Sequence, residues 1–299
     1  MSLICWIPLT SNTLNNQGIE NMSVTNNGAT YSSSEGKLGA GCWSFSDGTK
    51  NGHGINIYKN FTDIGSNRSI CVWVYPKGNH ADYTGAVVSS GNWNSSRWSF
   101  GLKRDNTGFT GFDSEYSSYY STSIPLNTWT HLCVTVANGV TKFYKNGIYL
   151  GEQSRGSGTV NSDAPNTMIG RETYAGGYFG FNGSIQDVRI YNHTLTPQEV
   201  KEISKGLVIH YPLNDGNVTN IAYDCSGYCN NGTITGTLTT STDTPRYDKC
   251  YTFGSNKLIS TTASGSHILT MSIWAKDAGS IPSDGLMFKD HLGDMALGI

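Results

Sequence analysis

The chain has 299 residues and a formal net charge of −2, with 36 glycines and only 14% charged residues. It has no Lys/Arg cluster and no block of like charges, which argues against a nucleic-acid partner. No apolar run is long enough to cross a bilayer as a helix. Hydrophobic residues make up 37%, below the usual globular range, yet 7 Trp, 17 Tyr and 10 Phe argue against a disordered chain. Aromatic strands between Gly/Asn turns indicate an all-β, two-sheet antiparallel sandwich with polar outer faces.

In chain order, Trp6 to Leu9 reads as a first strand. The N-terminal stretch has no basic segment and Pro8 cuts its apolar run, so it does not read as a signal peptide. Folding in the cytoplasm is the expectation. Strands follow at Cys42 to Phe45, Ile55 to Tyr58, Ser69 to Tyr75, Ala86 to Ser89 and Trp98 to Leu102. Thr128 to Val136 alternates strictly, with Trp129, His131, Cys133 and Thr135 on one face. Asn138-Gly139 and Asn146-Gly147 are hairpin turns.

The segment 183–200 is a strand that runs into a short helix. Ile185, Val188 and Ile190 are its apolar positions, and the three-residue step between the first two predicts a bulge near Gln186-Asp187. Thr196 is an N-cap with Pro197 behind it and Glu199 three residues on, Leu195 and Val200 form a hydrophobic staple, and Gly206 is the stop.

The pattern then starts again. Trp6-Ile7-Pro8-Leu9 returns as His210-Tyr211-Pro212-Leu213, Cys42-Trp43-Ser44-Phe45 as Cys250-Tyr251-Thr252-Phe253, and Ser69 to Trp73 as Thr270 to Trp274. This predicts a tandem repeat, 1–205 and 206–299, with the second copy incomplete at Ile299. Of the seven cysteines, Cys5, Cys42, Cys71 and Cys133 lie in strand-like runs and read as small buried hydrophobes. Cys225 and Cys229 are loop-like, with no second pair at zinc-finger spacing.

The closing segment, the Trp129 to Val136 strand and the Phe143-Tyr144-Lys145-Asn146-Gly147 turn together resemble the laminin-G-like jelly rolls of the concanavalin A-like lectin and glucanase superfamily. In the second copy, Asp224-Cys225-Ser226-Gly227 with Asn230 resembles a loop of that family, which Asn15-Asn16-Gln17-Gly18 of the first copy does not match. The resemblance implies a jelly roll, and it implies calcium as the candidate cofactor near the first loop and the closing segment. Asp47 and Asp187 are then the candidate metal ligands of the first copy, Asp224 and Asn230 of the second; Asp47-Gly48 also reads as an ordinary turn.

No paired carboxylates of glycosidase type occur; the nearest, Asp113-Ser114-Glu115, sits among Gly and Ser as a loop would. Catalysis is not expected. Sugar binding needs exposed aromatic faces with polar partners. The loop-like aromatics Trp93, Tyr116, Tyr119, Tyr120, Tyr174 and Tyr178 are the carbohydrate-binding candidates, whereas Trp6, Trp43, Trp73 and Trp129 fit the core. Three readings stay open. The first is a glycan-binding adhesion module of a phage virion (tail fibre or capsid decoration), contacting other virion proteins or copies of itself. The second is a purely structural virion protein. The third is the non-catalytic part of a secreted polysaccharide-degrading enzyme or adhesin. The expected location is a virion surface or the extracellular space.

Overall fold

The computed structural model describes residues 3–37, 41–45, 53–59, 61, 64–80, 84–91, 97–111, 113–114, 119–154, 165–172, 180–206, 211, 213, 220–222, 231–242, 250–254, 257–261, 286–289 and 296–298. The chain divides into two compact units, Met1–His210 with Cys225–Cys229, and Tyr211–Asp224 with Asn230–Ile299.

The first unit carries, in order, β1 (Leu3–Ile7), β2 (Val24–Asn27), β3 (Thr30–Ser32), β4 (Cys42–Phe45), β5 (Gly54–Ile57), β6 (Arg68–Pro76), β7 (Thr84–Gly91), β8 (Arg97–Lys103), β9 (Gly108–Thr110), β10 (Asp113–Ser114), β11 (Tyr119–Ser121), β12 (Thr130–Ala137), β13 (Val140–Lys145), β14 (Ile148–Ser154), β15 (Thr167–Ile169), β16 (Gly183–Tyr191) and one helix, α1 (Pro197–Lys205). The first sheet runs β14-β13-β12-β6-β16-β4-β3 with β1 also on β16; the second runs β11-β9-β8-β7-β15-β5-β2 with β10 also on β8. Neighbours in both sheets are antiparallel, and the unit is a jelly-roll-like sandwich. The two hairpin turns form as read: Asn138 and Gly139 have φ of 48° and 78°, Asn146 and Gly147 of 51° and 76°, the left-handed pairs that an Asn-Gly turn supplies.

The core is the alternation of both sheets meeting in the middle. Ile70, Val72, Val74, Leu132, Val134, Phe143 and Ile185 from the first sheet pack with Ile55, Ile57, Val88, Trp98, Phe100, Leu102, Phe109 and Ile169 from the second. Phe109 and Phe143 meet across the sandwich edge to face, centroids 5.4 Å apart. Burying each such side chain stabilises the fold by roughly 1.5–3 kcal/mol before chain entropy is counted.

β16 is where the first sheet changes neighbour. Gly183–Ile185 pair with β4, whereas Val188–Tyr191 pair with β1. The register against β6 slips between Gln186 and Arg189, so the bulge forms where the Ile185 to Val188 spacing predicts it. Asp187 sits at the slip with φ 58°, its N–H donating to the Pro8 carbonyl at 2.8 Å. The Gln186 amide donates to the Gly41 carbonyl at 2.9 Å, so one bulge anchors both the end of β1 and the approach to β4.

The outer face of the first sheet is not polar, contrary to the sequence expectation. Trp6, Trp73, His131, Gln186, Cys71 and Cys133 are all buried there. Part of the cover is α1 with its lead-in, where Tyr191, Leu195 and Val200 pack over Cys71, Cys133 and Tyr144. The rest comes from the segment before β4: the Lys37 N–H donates to the Gln186 side chain and Lys37 Nζ lies 5.4 Å from the Trp73 ring centre. Trp6 and Trp73 are therefore buried as expected, but outside the sandwich. Trp129 lies ahead of β12, half-buried, its indole N–H donating to the Glu35 carbonyl. Asp113-Ser114 is strand β10 against β8 and not loop.

The helix follows its capping box. The Thr196 hydroxyl accepts from the Glu199 N–H at 3.2 Å and the Glu199 carboxylate accepts from the Thr196 N–H at 2.7 Å. Thr196→Ala is expected to lower stability by about 1 kcal/mol, read as a lower urea midpoint at unchanged slope. A loss under about 0.3 kcal/mol would mean that packing alone holds the helix.

The second unit carries β17 (Ile221–Ala222), β18 (Gly232–Thr235), β19 (Thr239–Ser241), β20 (Cys250–Thr252), β21 (Leu258–Ser260), β22 (Leu286–Lys289) and β23 (Ala296–Gly298). They pair as β17-β18-β21, β19-β20 and β22-β23. Ala222, Ile234, Leu238 and Tyr251 form a small apolar cluster of its own.

Candidate functional site

Tyr119 and Tyr120 are neighbours on β11, so strand alternation sends them to opposite faces. Tyr120 turns inward: its ring packs on Phe143, centroids 5.6 Å apart, and its hydroxyl donates to the Leu150 carbonyl at 2.6 Å. Tyr119 turns outward and is 40% exposed. The adjacency of two tyrosines gave no clue to which would face solvent; the pairing Tyr119↔Thr110 and Tyr120↔Phe109 settles it, because Phe109 is core.

Tyr119 borders an open cleft of about 400 Å³ together with Thr84, Lys103, Arg104, Asp105, Thr107 and Thr110. Lys103 ends β8 opposite Thr84 of β7, and its ammonium lies 3.9 Å from the Tyr119 ring centre, a cation–π contact. Asp105 and Thr107 belong to the β8–β9 turn. The Asp105 carboxylate accepts from the Thr107 hydroxyl at 2.6 Å and from its N–H at 3.2 Å, and the hydroxyl first, then the N–H, hold its pKa below the ordinary aspartate value. The cleft thus offers an aromatic ring, two cations and a fixed carboxylate to a ligand.

The turn is stapled from below. Asn106, at φ 60°, is buried; its amide donates to the Gly78 carbonyl at 3.1 Å and its side-chain oxygen meets His80 Nε2 at 2.9 Å. The Asn182 N–H donates to His80 Nδ1 at 3.0 Å, so Nδ1 is the acceptor and Nε2 carries the proton toward Asn106. The His80 ring stacks on Phe181 at 4.9 Å. Burial lowers its pKa to about 4, only partly offset by the Asn106 bond. No sequence signal marked this support, because Asn106 and His80 are each ordinary turn residues until the fold joins them.

Asp187 occupies a different place, the outer face of the first sheet. Its Oδ1 accepts from the Trp6 indole N–H and from Arg189 Nε, both at 2.8 Å, and the guanidinium lies 4.5 Å from the Trp6 ring centre. Oδ2 is buried without a hydrogen-bond partner. A carboxylate already neutralised by an adjoining guanidinium, with no further carboxylate beside it, does not fit a calcium ligand set. Among the described residues no group of three or more His, Cys, Asp or Glu is placed to hold a metal ion. Asp47, Asp224 and Asn230 lie outside the described residues, as do Trp93, Tyr116, Tyr174 and Tyr178.

A second open cleft, about 700 Å³, lies along Leu14–Gln17 and Asn21–Thr25. Its shape rests on Asn16, whose side-chain oxygen accepts from the Trp6 N–H at 2.7 Å and the Gly18 N–H at 3.0 Å. The loop that lacks the family's Asp and Ser-Gly is thus built on an asparagine.

Residues 47–201 match the model of the family Laminin_G_3, Concanavalin A-like lectin/glucanases superfamily. The match spans more than half of the chain, and the chain belongs to this family. Serum amyloid P-component of Mesocricetus auratus is 28% identical over 105 residues, 33% of this chain and 44% of that protein, so the chain spans less than half the length of the curated relatives it matches. Among solved structures, domain 4 of AbnA, a GH43 extracellular arabinanase from Geobacillus stearothermophilus in complex with arabinotriose, is similar with a TM-score of 0.51 and 23% identity, covering 67% of this chain and 97% of that one. Botulinum neurotoxin type C, whose cell entry is described as dependent on interaction with two ganglioside molecules, is similar with a TM-score of 0.52 and 17% identity, covering 78% of this chain and 59% of that one. These likenesses establish the shared fold.

Proposed function

We propose that the chain is a non-catalytic glycan-binding module whose sugar-contacting surface is the Tyr119 cleft. The observation that carries this is the exposed Tyr119 ring beside Lys103, Arg104, Asp105 and three threonines in an open depression. An aromatic ring takes the C–H face of a sugar while charged groups bond its hydroxyls. Lys103 covers one side of the ring, and the sugar takes the surface left open. The neighbours support the reading, since the structures of similar fold include a domain in complex with arabinotriose and a toxin that interacts with gangliosides. Trp93, Tyr116, Tyr174 and Tyr178 are further proposed sugar-contacting residues, and calcium is the proposed cofactor.

The finer proposal is a virion adhesin exposed at a particle surface or outside the cell; the Gly-rich, weakly charged composition and the closing segment support it. The division into 1–205 and an incomplete copy at 206–299 is likewise a proposal. It is supported by ladders that recur in the same chain order: β3-β4 as β19-β20, β2-β5 as β18-β21, and β7-β8 as β22-β23.

The test is a broad glycan array probed with the full chain, in calcium and again in chelator. Binding is expected, weakened about tenfold by Tyr119→Ala, the loss of about 1.4 kcal/mol that one aromatic contact supplies. Loss of binding in chelator alone would place a metal in or beside the site. A blank array in both conditions would overturn the glycan reading and favour a structural role through protein contacts.

A further inference from the structure

Two thiols face each other across the central strands of the first sheet. Cys71 on β6 and Cys133 on β12 are direct register partners, and their sulfurs lie 2.6 Å apart. A disulfide bond is about 2.05 Å long, so the pair sits only slightly beyond bonding distance.

The register is also the one a bridge requires. His131 turns both backbone groups away from β6: its N–H donates to the Asn146 side chain at 2.9 Å and its carbonyl accepts from the Asn146 N–H at 2.8 Å. Two residues on, Cys133 points its own N–H and C=O the same way, toward β13. Cys133 and Cys71 are therefore a non-hydrogen-bonded cross-strand pair, in which Cα atoms stand about 4.5 Å apart and side chains are closest. That separation falls inside the roughly 4.4–6.8 Å that a disulfide spans.

We propose that Cys71 and Cys133 form a redox pair that closes a cross-strand disulfide between β6 and β12. Closure breaks two S–H bonds and forms one S–S bond. A small-molecule disulfide, such as oxidised glutathione, is the oxidant: its S–S bond breaks, and it takes up the two electrons and, through solvent, the two protons to leave as two thiols. The attacking species is a thiolate, and burial raises the Cys133 thiol well above its ordinary pKa. Tyr144, Tyr191, Leu195 and Val200 close over both sulfurs, which are fully buried. The bond therefore forms while the chain is folding, before α1 and its lead-in cover that face. Once covered, it is shielded from reductant. In the structure Cys71 and Cys133 are free thiols, as are Cys5, Cys42 and Cys250, so the pair stands in its reduced form.

The test is to refold the full chain in a glutathione redox buffer and, separately, in excess reductant, then map unreduced peptides by mass. Oxidative refolding is expected to yield a cross-linked pair of peptides holding Cys71 and Cys133, lighter by two hydrogens. The oxidised protein should show a folding equilibrium constant about a hundredfold higher than the reduced one, since the bridge closes a long loop. Oxidised glutathione added to the already folded, reduced protein should react far more slowly than during refolding. The double variant C71A/C133A should lose the redox dependence of stability. If that variant fails to fold, the peptide map of the unaltered chain decides. Alkylation of both residues as free thiols after oxidative refolding, a bridge to any other cysteine, or equal stability of the oxidised and reduced chains would overturn the proposal.

Discussion

Asp187→Asn is expected to destabilise the first unit by about 3–5 kcal/mol, the range for removing one partner of a buried ion pair. The geometry isolates the charge. Asparagine accepts the φ of 58° that a bulky residue resists, and its side-chain oxygen can still receive the Trp6 indole N–H. What is lost is the negative charge beside Arg189, whose side chain is 13% exposed against 4% for Asp187. A guanidinium kept in that setting without a counter-charge retains its hydrogen bond with Tyr191 but carries a desolvation cost that the carboxylate had offset. Urea unfolding at neutral pH measures the loss. A second variant, Arg189→Met, and the double variant complete the cycle: the double loss should fall well short of the sum of the single losses. A single-variant loss under about 1 kcal/mol, or simple additivity, would mean that the bulge is held by the Asp187 N–H bond to Pro8 and the Gln186 side-chain bond to Gly41.

Acid should loosen the same unit well above the pH at which carboxylates protonate. Burial lowers His80 to about 4, and burial together with the Arg189 charge lowers His131 to about 3, against 6.5 for an ordinary histidine. Both are neutral in the folded chain and bind protons once it unfolds. A histidine with a lowered folded pKa contributes stability that is full above about pH 6.5 and is lost as pH falls toward the folded value. Each contributes a slope of about 1.4 kcal/mol per pH unit in that window, so His80 alone accounts for on the order of 3 kcal/mol between pH 6.5 and 4. Between pH 6.5 and 5 the effect belongs to the histidines, because Asp105 and Glu199 have pKa values below their ordinary range and titrate lower still. Chemical unfolding at a series of pH values reads the slope, and His131→Leu should remove one proton's worth of it. Stability that stays level from pH 7 to 5 would show that these rings do not gain protons on unfolding. The His80 contribution also bears on the cleft, since the His80–Asn106 bond holds the turn that carries Asp105.

What could be read from the sequence depended on how local the physics was. The closing helix was legible because Thr196, Pro197 and Glu199 act within one turn of each other, and the structure has the capping box they imply. The bulge was legible because the Ile185 to Val188 step breaks a period of two. The buried outer face of the first sheet was not. Trp73 and His131 alternate with core residues just as solvent-facing positions would, and the segment that covers them, around Lys37, is remote in sequence. Asp187 looked like a ligand because acidic residues before Val-Arg-Ile-Tyr invite that reading; only the fold brings Trp6 to it. For the cleft, the tyrosine pair signalled an aromatic surface, but the inward turn of Tyr120 depends on pairing with β9, and Lys103 and Arg104 carried no pattern of their own.

The division of β16 between β4 and β1 has a consequence for synthesis. Trp6 and Asp187 are 181 residues apart in the chain, and β1 is built onto the sheet through β16. During synthesis β1 therefore waits for β16. At about 5–20 residues per second that interval is roughly ten to forty seconds, during which Ile4 and Ile7 have no sheet to join. A domain with such long-range pairing gains little by folding as it emerges, and it closes late and as a whole. The apolar face of β1 is then the part most in need of a chaperone's protection.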